Sequence, residues 1–471
     1  MKNRIYIKDL SNYIGGGVTI SGWVDARRNQ GKLVFIDMRD MTGKIQCVIL
    51  SNHAEAMDQV KEVRPEWVLK IIGLVNKRPG RDIKEGTING DVELEVTAIE
   101  VLNKAETPVF DVTTDGKEIG EELRLQYRYL DLRRPRMQKN IRKRHRVIKF
   151  IRDFLNNEEF VEVETPILTK STPEGARDYI VPSRLCPGNF YALPQSPQQY
   201  KQLLMSSGVE KYFQVARCMR DEDSRGDRQP EFTQIDMELS FIEQEDVMAL
   251  NERLFIELIN NLYPEKRIQQ IPFPRISYQD AIEKYHSDRP DIREDKNNPN
   301  LLAFCWIVDF PFFEKTNTSD NSNAEGEWTF THNPFSAPII EHMPWLMDRK
   351  NIADIVATQY DITLNGYEIG GGSIRNHQPE ALRQVLQIIG YDNESIDKNF
   401  GHILHALGSG TPPHGGIAWG FDRLLMLLEE EPNIREVIAF PKTNEARDPM
   451  MKSPSPISDK QLNELHIKLK S

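Results

Sequence analysis

Cysteine is scarce in this chain: 4 among 471 residues, at Cys47, Cys186, Cys218 and Cys305. None belongs to a Cys-x-x-Cys pair, so the spacing indicates neither a zinc site nor a disulfide framework. The four thiols are expected to be reduced and mostly buried. Long apolar runs are missing as well, and no stretch approaches the ~20 residues that a membrane-spanning helix requires. The opening MKNRIYIKDL lacks the apolar centre of a signal peptide. A cytoplasmic location with no membrane partner is the expectation. Positive charge is in deficit: 60 Lys and Arg stand against 71 Asp and Glu, a net charge of −11. That balance disfavours wholesale phosphate neutralisation as a way of holding nucleic acid, although a local field can differ in sign from the total.

What is present is ordinary globular material, 39% hydrophobic and 28% charged, in a length that allows two or three domains. From Gly17 to Leu102 short β-rich runs recur: VTISGWV, LVFIDMRD, KIQCVIL, WVLKIIGLV and VELEVTAIEVL. Glycines separate them, and a polar stretch from Ser51 to Glu62 has room for a helix. Five strands with one interposed helix suit a small barrel of the OB type, which binds single-stranded nucleic acid through aromatics and cations. The expected division is a barrel over 1–103, a connector over 104–135 that holds Pro108 and YRYLDLRR, and a larger α/β unit over 136–471. Beyond Pro135, Lys139 to Arg152 is a basic helix candidate with Ile141, Val147, Ile148 and Ile151 at a partly helical period. Its charges suit nucleic-acid phosphates and, equally, a solvated face at a subunit interface.

The richest stretch chemically is Arg220 to Asp236, RDEDSRGDRQPEFTQID. Cys218 and Met219 precede it, and the alternating Phe232, Gln234, Asp236 and Glu238 lead out of it, which predicts a charged loop between two strands. Such a loop lifts an arginine, carboxylates and an aromatic face to one rim of a sheet. Those are the parts a nucleotide site uses for phosphate, Mg²⁺ and base. A solvated hairpin tip has the same composition. Near the C-terminus, GGIAWGFDRLLMLL (Gly415 to Leu428) reads as a strand that bends at Gly420 into a buried helix. Arg423 in that helix's first turn opposes the helix dipole and calls for an anion, either a ligand or a carboxylate such as Asp422.

Together the two segments resemble motifs 2 and 3 of the class II aminoacyl-tRNA synthetases. SPQQYK (Ser196 to Lys201), PEGARDY (Pro173 to Tyr179), YEIGGGSIR (Tyr367 to Arg375) and GFDR (Gly420 to Arg423) are similar to the aspartyl branch in its bacterial form. The likeness runs from Gly22-Trp23-Val24 to Phe440-Pro441-Lys442, nearly the whole chain. It implies an α+β chain: an OB-fold barrel for the anticodon, then a class II catalytic domain with a mixed, mainly antiparallel sheet flanked by helices. It also implies ATP and Mg²⁺ as cofactors, with L-aspartate and tRNA-Asp as substrates. FVEVETPIL resembles motif 1, with Pro166 as its proline, and so implies a homodimer.

The resemblance also assigns roles. Arg220, Arg423 and Glu368 form the catalytic set, Arg220 meeting the α-phosphate of ATP and Arg423 the γ-phosphate. Asp221, Glu222, Gln229, Gly420, Phe421 and Asp422 surround ATP, Phe232 stacks on adenine, and Asp361 and Glu368 hold Mg²⁺. Arg375 and Lys201 take the aspartate side chain, Glu174 and Asp236 its ammonium, and Ser196, Gln198 and Arg220 line the pocket. His332 of THNPFS closes over the substrate; a satisfied surface histidine is the competing reading. In the barrel Phe35 stacks on a base, Arg28 meets phosphate or a base edge, and Gln46 and Glu95 hydrogen-bond base edges. A core role for Phe35 is the competing reading.

Three features depart from the family pattern. Asn333 stands where a second histidine is common. Leu239 to Thr331 leaves no room for the large domain that bacterial aspartyl enzymes insert there, and the polar Asn317 to Glu327 reads as a mobile loop. Gln30 lies where the family separates enzymes restricted to tRNA-Asp from those that also charge tRNA-Asn, and it matches neither group. The leading expectation is an enzyme that aspartylates its own tRNA. The alternatives are a form that also aspartylates tRNA-Asn, an asparaginyl enzyme disfavoured by the motif wording, and an inactive relative acting as a binding protein.

Overall fold

The computed structural model describes residues 4–172, 174–316 and 327–470. Pro173 and most of the polar loop from Asn317 lie outside the described residues. The chain divides into two compact units, Met1–Gly120 with Tyr129–Pro135, and Glu121–Arg128 with Arg136–Ser471. The expected connector is therefore shared between the two.

The first unit is a closed barrel of β1 (Gly17–Asn29), β2 (Leu33–Asp40), β3 (Gly43–Leu50), β4 (Val68–Lys77) and β5 (Val92–Asn103), with α1 (Ala54–Val60) between β3 and β4. Strict alternation creates it: Val34, Ile36 and Met38 point inward from β2, while Phe35, Asp37 and Arg39 point out. Ala56 and Val60 of α1 join the same core.

The second unit is built on one sheet of eight strands. Its elements in chain order begin with α2 (Pro135–Asn157), β6 (Val161–Glu162), β7 (Ile180–Pro182), β8 (Phe190–Ala192), α3 (Gln198–Ser206), β9 (Lys211–Met219) and β10 (Glu231–Ser240). They continue with α4 (Gln244–Leu262), β11 (Arg275–Ser277), β12 (Phe304–Val308), β13 (Gln359–Leu364), β14 (Tyr367–Ile374), β15 (His414–Gly420) and α5 (Phe421–Leu428). The sheet order is β11-β12-β13-β14-β15-β10-β9-β6. Only the pairs at its two edges, β11 with β12 and β6 with β9, run parallel. β7 and β8 form a separate hairpin.

The sheet is buried on both faces. Ile235, Met237 and Leu239 of β10 face a core shared with α2, α4 and α5. The intervening Gln234, Asp236 and Glu238 face the other way and are also buried. Polar side chains removed from water in the middle of a strand must find partners, and those partners form the site.

The basic helix extends further than its periodicity suggested, and several of its cations are used inside the unit. Arg136 pairs with Glu431 and Glu436, Lys139 with Glu429, and Arg144 with Asp422. Lys143 donates to the Leu262 carbonyl at 2.6 Å and lies 4.0 Å from the centre of the Tyr263 ring. Neither a phosphate-binding face nor a purely solvated one describes these four residues. Each is tied to a partner within the unit, Lys139 from an exposed position.

Candidate active site

Two adjoining cavities open on the polar face of the sheet, sharing Arg220, Gln234 and Ala418. One of them is organised by charges on three elements. Lys201, one turn into α3, reaches Asp236 at 3.0 Å and Glu238 at 3.2 Å. Arg375, just beyond β14, grips Glu238 with two nitrogens at 2.8 and 3.1 Å and donates to Ser373 Oγ at 2.8 Å. All four charged side chains are buried.

The two carboxylates, two positions apart on β10, are driven in opposite directions. Burial alone would raise Glu238, but the charges of Arg375 and Lys201 outweigh it and hold the carboxyl down at about 2. For Asp236 burial, with Glu238 as a like-charged neighbour, outweighs the opposing charges of Lys201 and Arg375 and pushes the carboxyl up to about 6. Its Oδ1 has no hydrogen-bond partner among the described residues. A buried acceptor left open in a cavity is suited to a cationic group of a ligand. Glu174 stands nearby and accepts from Ser196 at 2.6 Å and Thr172 at 2.9 Å; burial raises its carboxyl despite those bonds.

The other cavity is lined by Arg220, Glu222, Gln229, Phe232, Gly420 and Arg423. The charged loop joins β9 to β10, whose register closes at Met219 opposite Glu231. Arg220 lies 5.3 Å from the centre of the Phe232 ring, which unites the arginine and the aromatic face at one rim. Arg423 sits in the first turn of α5, held by Asp227 at 3.1 Å and by the backbone carbonyl of Glu368. The Nε atoms of Arg220 and Arg423 are buried with no partner among the described residues, so each guanidinium keeps capacity for an anion.

Asp361 and Glu368 lie on neighbouring strands, with a bulge between Ile362 and Thr363 in the pairing of β13 with β14. Burial raises Asp361 to about 7; His332, at 3.9 Å, opposes the rise and Glu368 adds to it. The pair is thus short of positive charge. Two hard oxygen donors in that condition fit a small divalent cation that takes its remaining ligands from phosphate and water. No group of three or more His, Cys, Asp or Glu side chains forms a metal cage among the described residues.

β14 brings its glycines against close neighbours. A Cβ on Gly370 would collide with Trp419, on Gly371 with the carboxylate of Asp361, and on Gly372 with the Gly416 carbonyl.

Three of the expected ATP-site residues are engaged elsewhere, two of them off the cavity lining. Phe421 is fully buried in the helix-side core. Asp422 borders the cavity, but its carboxylate accepts from Arg144 and, at 2.8 Å, from the Thr233 amide, which ties α2 and β10 to α5. Asp221 is engaged with Arg177, whose Nε donates to its carbonyl at 3.1 Å and whose carbonyl accepts from its amide at 3.0 Å. His332 and Asn333 both border the cavity of Lys201 and Arg375, and Asn333 Oδ1 accepts from the Phe335 amide at 2.7 Å, bracing the loop.

Four of the expected barrel residues share one outer surface. Arg28 is opposite Phe35, Phe35 opposite Val48, and Val48 opposite Glu95, so these side chains form a single cross-strand row. Phe35 is half-buried and lies outside the barrel core. Arg28 pairs with Asp37 at 2.6 Å, and Gln46 lies opposite Asp37. Glu95 accepts from Asn76 at 2.9 Å and pairs with His53 at 3.0 Å, whose hydrogen bond draws its carboxyl down. Gln30 is exposed in the turn between β1 and β2.

Glu238 is the charged member, at the end of the site that holds Lys201 and Arg375, that carried no assigned role in the sequence. Its signal was the alternation itself, which puts it on the face of Gln234 and Asp236.

Comparison with known proteins gives consistent results for both units. Residues 120–444 match the family described as tRNA synthetases class II (D, K and N), and residues 18–102 match the OB-fold nucleic acid binding domain. The chain is 40% identical to a protein of Rubrobacter xylanophilus named Aspartate–tRNA(Asp/Asn) ligase, covering 97% of this chain and 95% of that one. It is 38% identical to the Aspartate–tRNA ligase of Geobacillus kaustophilus, with 96% of each covered. The Rubrobacter alignment extends over 579 positions, more than the 471 residues here, so that relative carries segments this chain lacks. Among solved structures, asparaginyl-tRNA synthetase of Pyrococcus horikoshii bound to asparaginyl-adenylate superposes with a TM-score of 0.72 at 23% identity, covering 94% of this chain and 99% of that one. The aspartyl tRNA synthetase of Entamoeba histolytica gives 0.71 at 23% identity, with 93% and 91% covered. At that identity the likeness is one of fold.

Proposed function

The chain belongs to the class II aminoacyl-tRNA synthetases of the D, K and N group, and from that premise we propose that it joins L-aspartate to tRNA-Asp in two steps. In the first, an aspartate α-carboxylate oxygen attacks the α-phosphorus of ATP, forming aspartyl-adenylate as the bond to pyrophosphate breaks. In the second, the terminal 3′-hydroxyl of the tRNA attacks the adenylate carbonyl and AMP leaves. The first step needs positioning and charge neutralisation and no protein nucleophile. Arg220 and Arg423 meet the α- and γ-phosphates, Phe232 stacks on adenine, and Glu222 and Gln229 border the nucleotide. Asp361 and Glu368 hold Mg²⁺, which supplies further neutralisation beside the phosphates.

The observation that carries the choice of aspartate is the pair of buried cations, Lys201 and Arg375, fixed at the end of the site that holds Asp236. A side-chain carboxylate offers acceptors to their remaining N–H groups. The amide of asparagine turns an NH₂ group toward those donors, a contact the carboxylate does not make. An α-ammonium has three protons, and Glu174, the open Oδ1 of Asp236 and the amide oxygen of Gln198 supply three acceptors. His332 closes the site. The barrel row of Arg28, Phe35 and Glu95, with Gln46 and Gln30 beside it, reads the anticodon by stacking and edge contacts.

We assign the working unit to a homodimer in the cytoplasm. The motif 1 likeness supports the dimer, as do the exposed apolar side chains of Ile180, Leu185 and Phe190 around the β7–β8 hairpin. No helix among the described residues is long and apolar enough to cross a membrane. A second reading, charging of tRNA-Asn as well, draws support from relatives named for both tRNAs. Charging tRNA-Asp and tRNA-Asn transcripts with labelled aspartate tests both. Product on tRNA-Asp alone supports the restricted enzyme and product on both the broader one; no product on either refutes the proposal.

A further inference from the structure

Behind the aspartate end of the cavity runs a chain of buried hydrogen bonds that the reaction above does not use. His414, the first residue of β15, is fully buried, and its Nδ1 lies 2.8 Å from the carbonyl oxygen of Pro412. Its Nε2 lies 3.2 Å from Nε2 of Gln202. The Oε1 of that glutamine accepts from Nε2 of Gln198 at 3.2 Å, one helical turn earlier on α3. Gln198 in turn borders the cavity, and its Oε1 carries no bond among the described residues.

Each link dictates the polarity of the next. A carbonyl oxygen only accepts, so His414 must carry its proton on Nδ1. Burial favours the neutral imidazole and lowers its pKa; Glu238 opposes that, and Arg375 and His377 reinforce it. In the neutral ring a proton on Nδ1 leaves a lone pair on Nε2. Gln202 is therefore obliged to present its NH₂ group to His414 and its oxygen to Gln198. Gln198 is then obliged to spend its NH₂ group on Gln202, and its oxygen is the end left toward the ligand.

We infer that His414 and Gln202 are positioning residues for aspartate: they lock the Gln198 amide so that an acceptor, and not a donor, meets the substrate ammonium. Neither residue borders the cavity. Their effect is transmitted entirely by amide orientation. Reversing one link reverses all of them, and Gln198 would then turn a donor toward a cation. The inference rests on the aspartate reading for the identity of the cation, while the polarity of the chain rests on the hydrogen bonds alone.

The test has an activity arm and a spectroscopic arm on the full-length chain. In aspartate-dependent ATP–pyrophosphate exchange, Gln202→Met keeps the bulk of the side chain and removes the relay. Its KM for aspartate should rise about tenfold, the loss of one hydrogen bond to a charged group, with kcat and the KM for ATP within about twofold. Gln202→Glu offers only acceptors to Gln198 and so fixes the same orientation, with His414 taking up a proton. Its KM for aspartate should stay within about threefold of the parent. Independently, nitrogen NMR of the histidine-labelled protein, with His414 assigned by a His414→Asn comparison, should show His414 protonated on Nδ1 and bare on Nε2. An Nε2-protonated neutral ring overturns the inference, as does a Gln202→Met enzyme with the parental KM for aspartate. A folded Gln202→Glu enzyme as impaired as Gln202→Met does so too. Absence of exchange in the parent with every amino acid would refute the proposed function and leave the relay to be decided by the tautomer.

Discussion

Glu238 and Asp236 differ by one methylene and two positions on the same strand, yet neutralising them should have opposite consequences for stability. A buried carboxyl whose pKa falls from 4.5 to about 2 on folding contributes about 3 kcal/mol at neutral pH, at roughly 1.4 kcal/mol per pH unit. That contribution is complete above 4.5 and is lost as the pH falls through about 2. Glu238→Gln should therefore cost about 3 kcal/mol at pH 7.5, close to the 3–5 kcal/mol typical of stranding one partner of a buried ion pair. Arg375 would keep Ser373, the Gly416 carbonyl and one amide oxygen in place of its bidentate carboxylate. Asp236 is the reverse case. Its carboxyl rises from 3.8 to about 6, so its ionised form destabilises the folded chain by about 3 kcal/mol above pH 6, and protonation relieves this as the pH falls toward 3.8. Asp236→Asn removes that cost but weakens the bond to Lys201, and the net change should lie within about 1 kcal/mol of zero. Urea denaturation of the catalytic unit should thus separate the two variants by at least about 2 kcal/mol at pH 7.5. Moving from pH 7.5 to 5 should stabilise the parent by about 1.4 kcal/mol relative to Asp236→Asn, as the buried carboxyl takes up its proton, and leave the difference between the parent and Glu238→Gln unchanged. Equal destabilisation by the two substitutions at pH 7.5 would refute the division of charge drawn here.

Other expectations concern function. Phe35→Ala should raise the KM for tRNA about tenfold or more, as loss of one stacked base does, and leave amino-acid-dependent exchange untouched; a parallel loss in exchange would disconnect Phe35 from the anticodon. Arg423→Ala should lower kcat/KM for ATP about a hundredfold, the scale of a preorganised donor to developing charge, without altering the KM for aspartate. Chelation of divalent ions should abolish exchange, and Asp361→Asn should raise the Mg²⁺ concentration for half-maximal exchange about tenfold or more; an unchanged Mg²⁺ dependence would remove Asp361 from the metal site.

The legible parts of this protein were those written in short-range pattern. Alternation along LVFIDMRD gave a strand and told which side chains face out, and the glycine before FDR gave the turn from β15 into α5. Pattern does not report which face of a doubly buried strand is the chemical one. Glu238 stood in plain view in the alternating run, yet its importance depends on Lys201 and Arg375, which come from distant segments. Asp422 reads as a ligand-facing residue because it adjoins Arg423, and only the fold reveals that Arg144 and the Thr233 amide already occupy it. His414 and Gln202 had no sequence signal at all. Their meaning lies in the direction of three hydrogen bonds.

The glycines of β14 limit how this site can change. Gly370 and Gly372 press against the backbone at Trp419 and the Gly416 carbonyl with no space for a Cβ, whereas Gly371 meets only the side chains of Asp361 and His332. Two positions in the middle of the pocket are therefore closed to every other amino acid unless the sheet itself moves apart, and a side chain at the third would displace the Asp361 carboxylate. Variation that redirects the pocket toward another substrate falls to its walls, on α3, β10 and the loop of His332. An engineer seeking new specificity would gain nothing from a library at 370 and 372 and should randomise those three walls together.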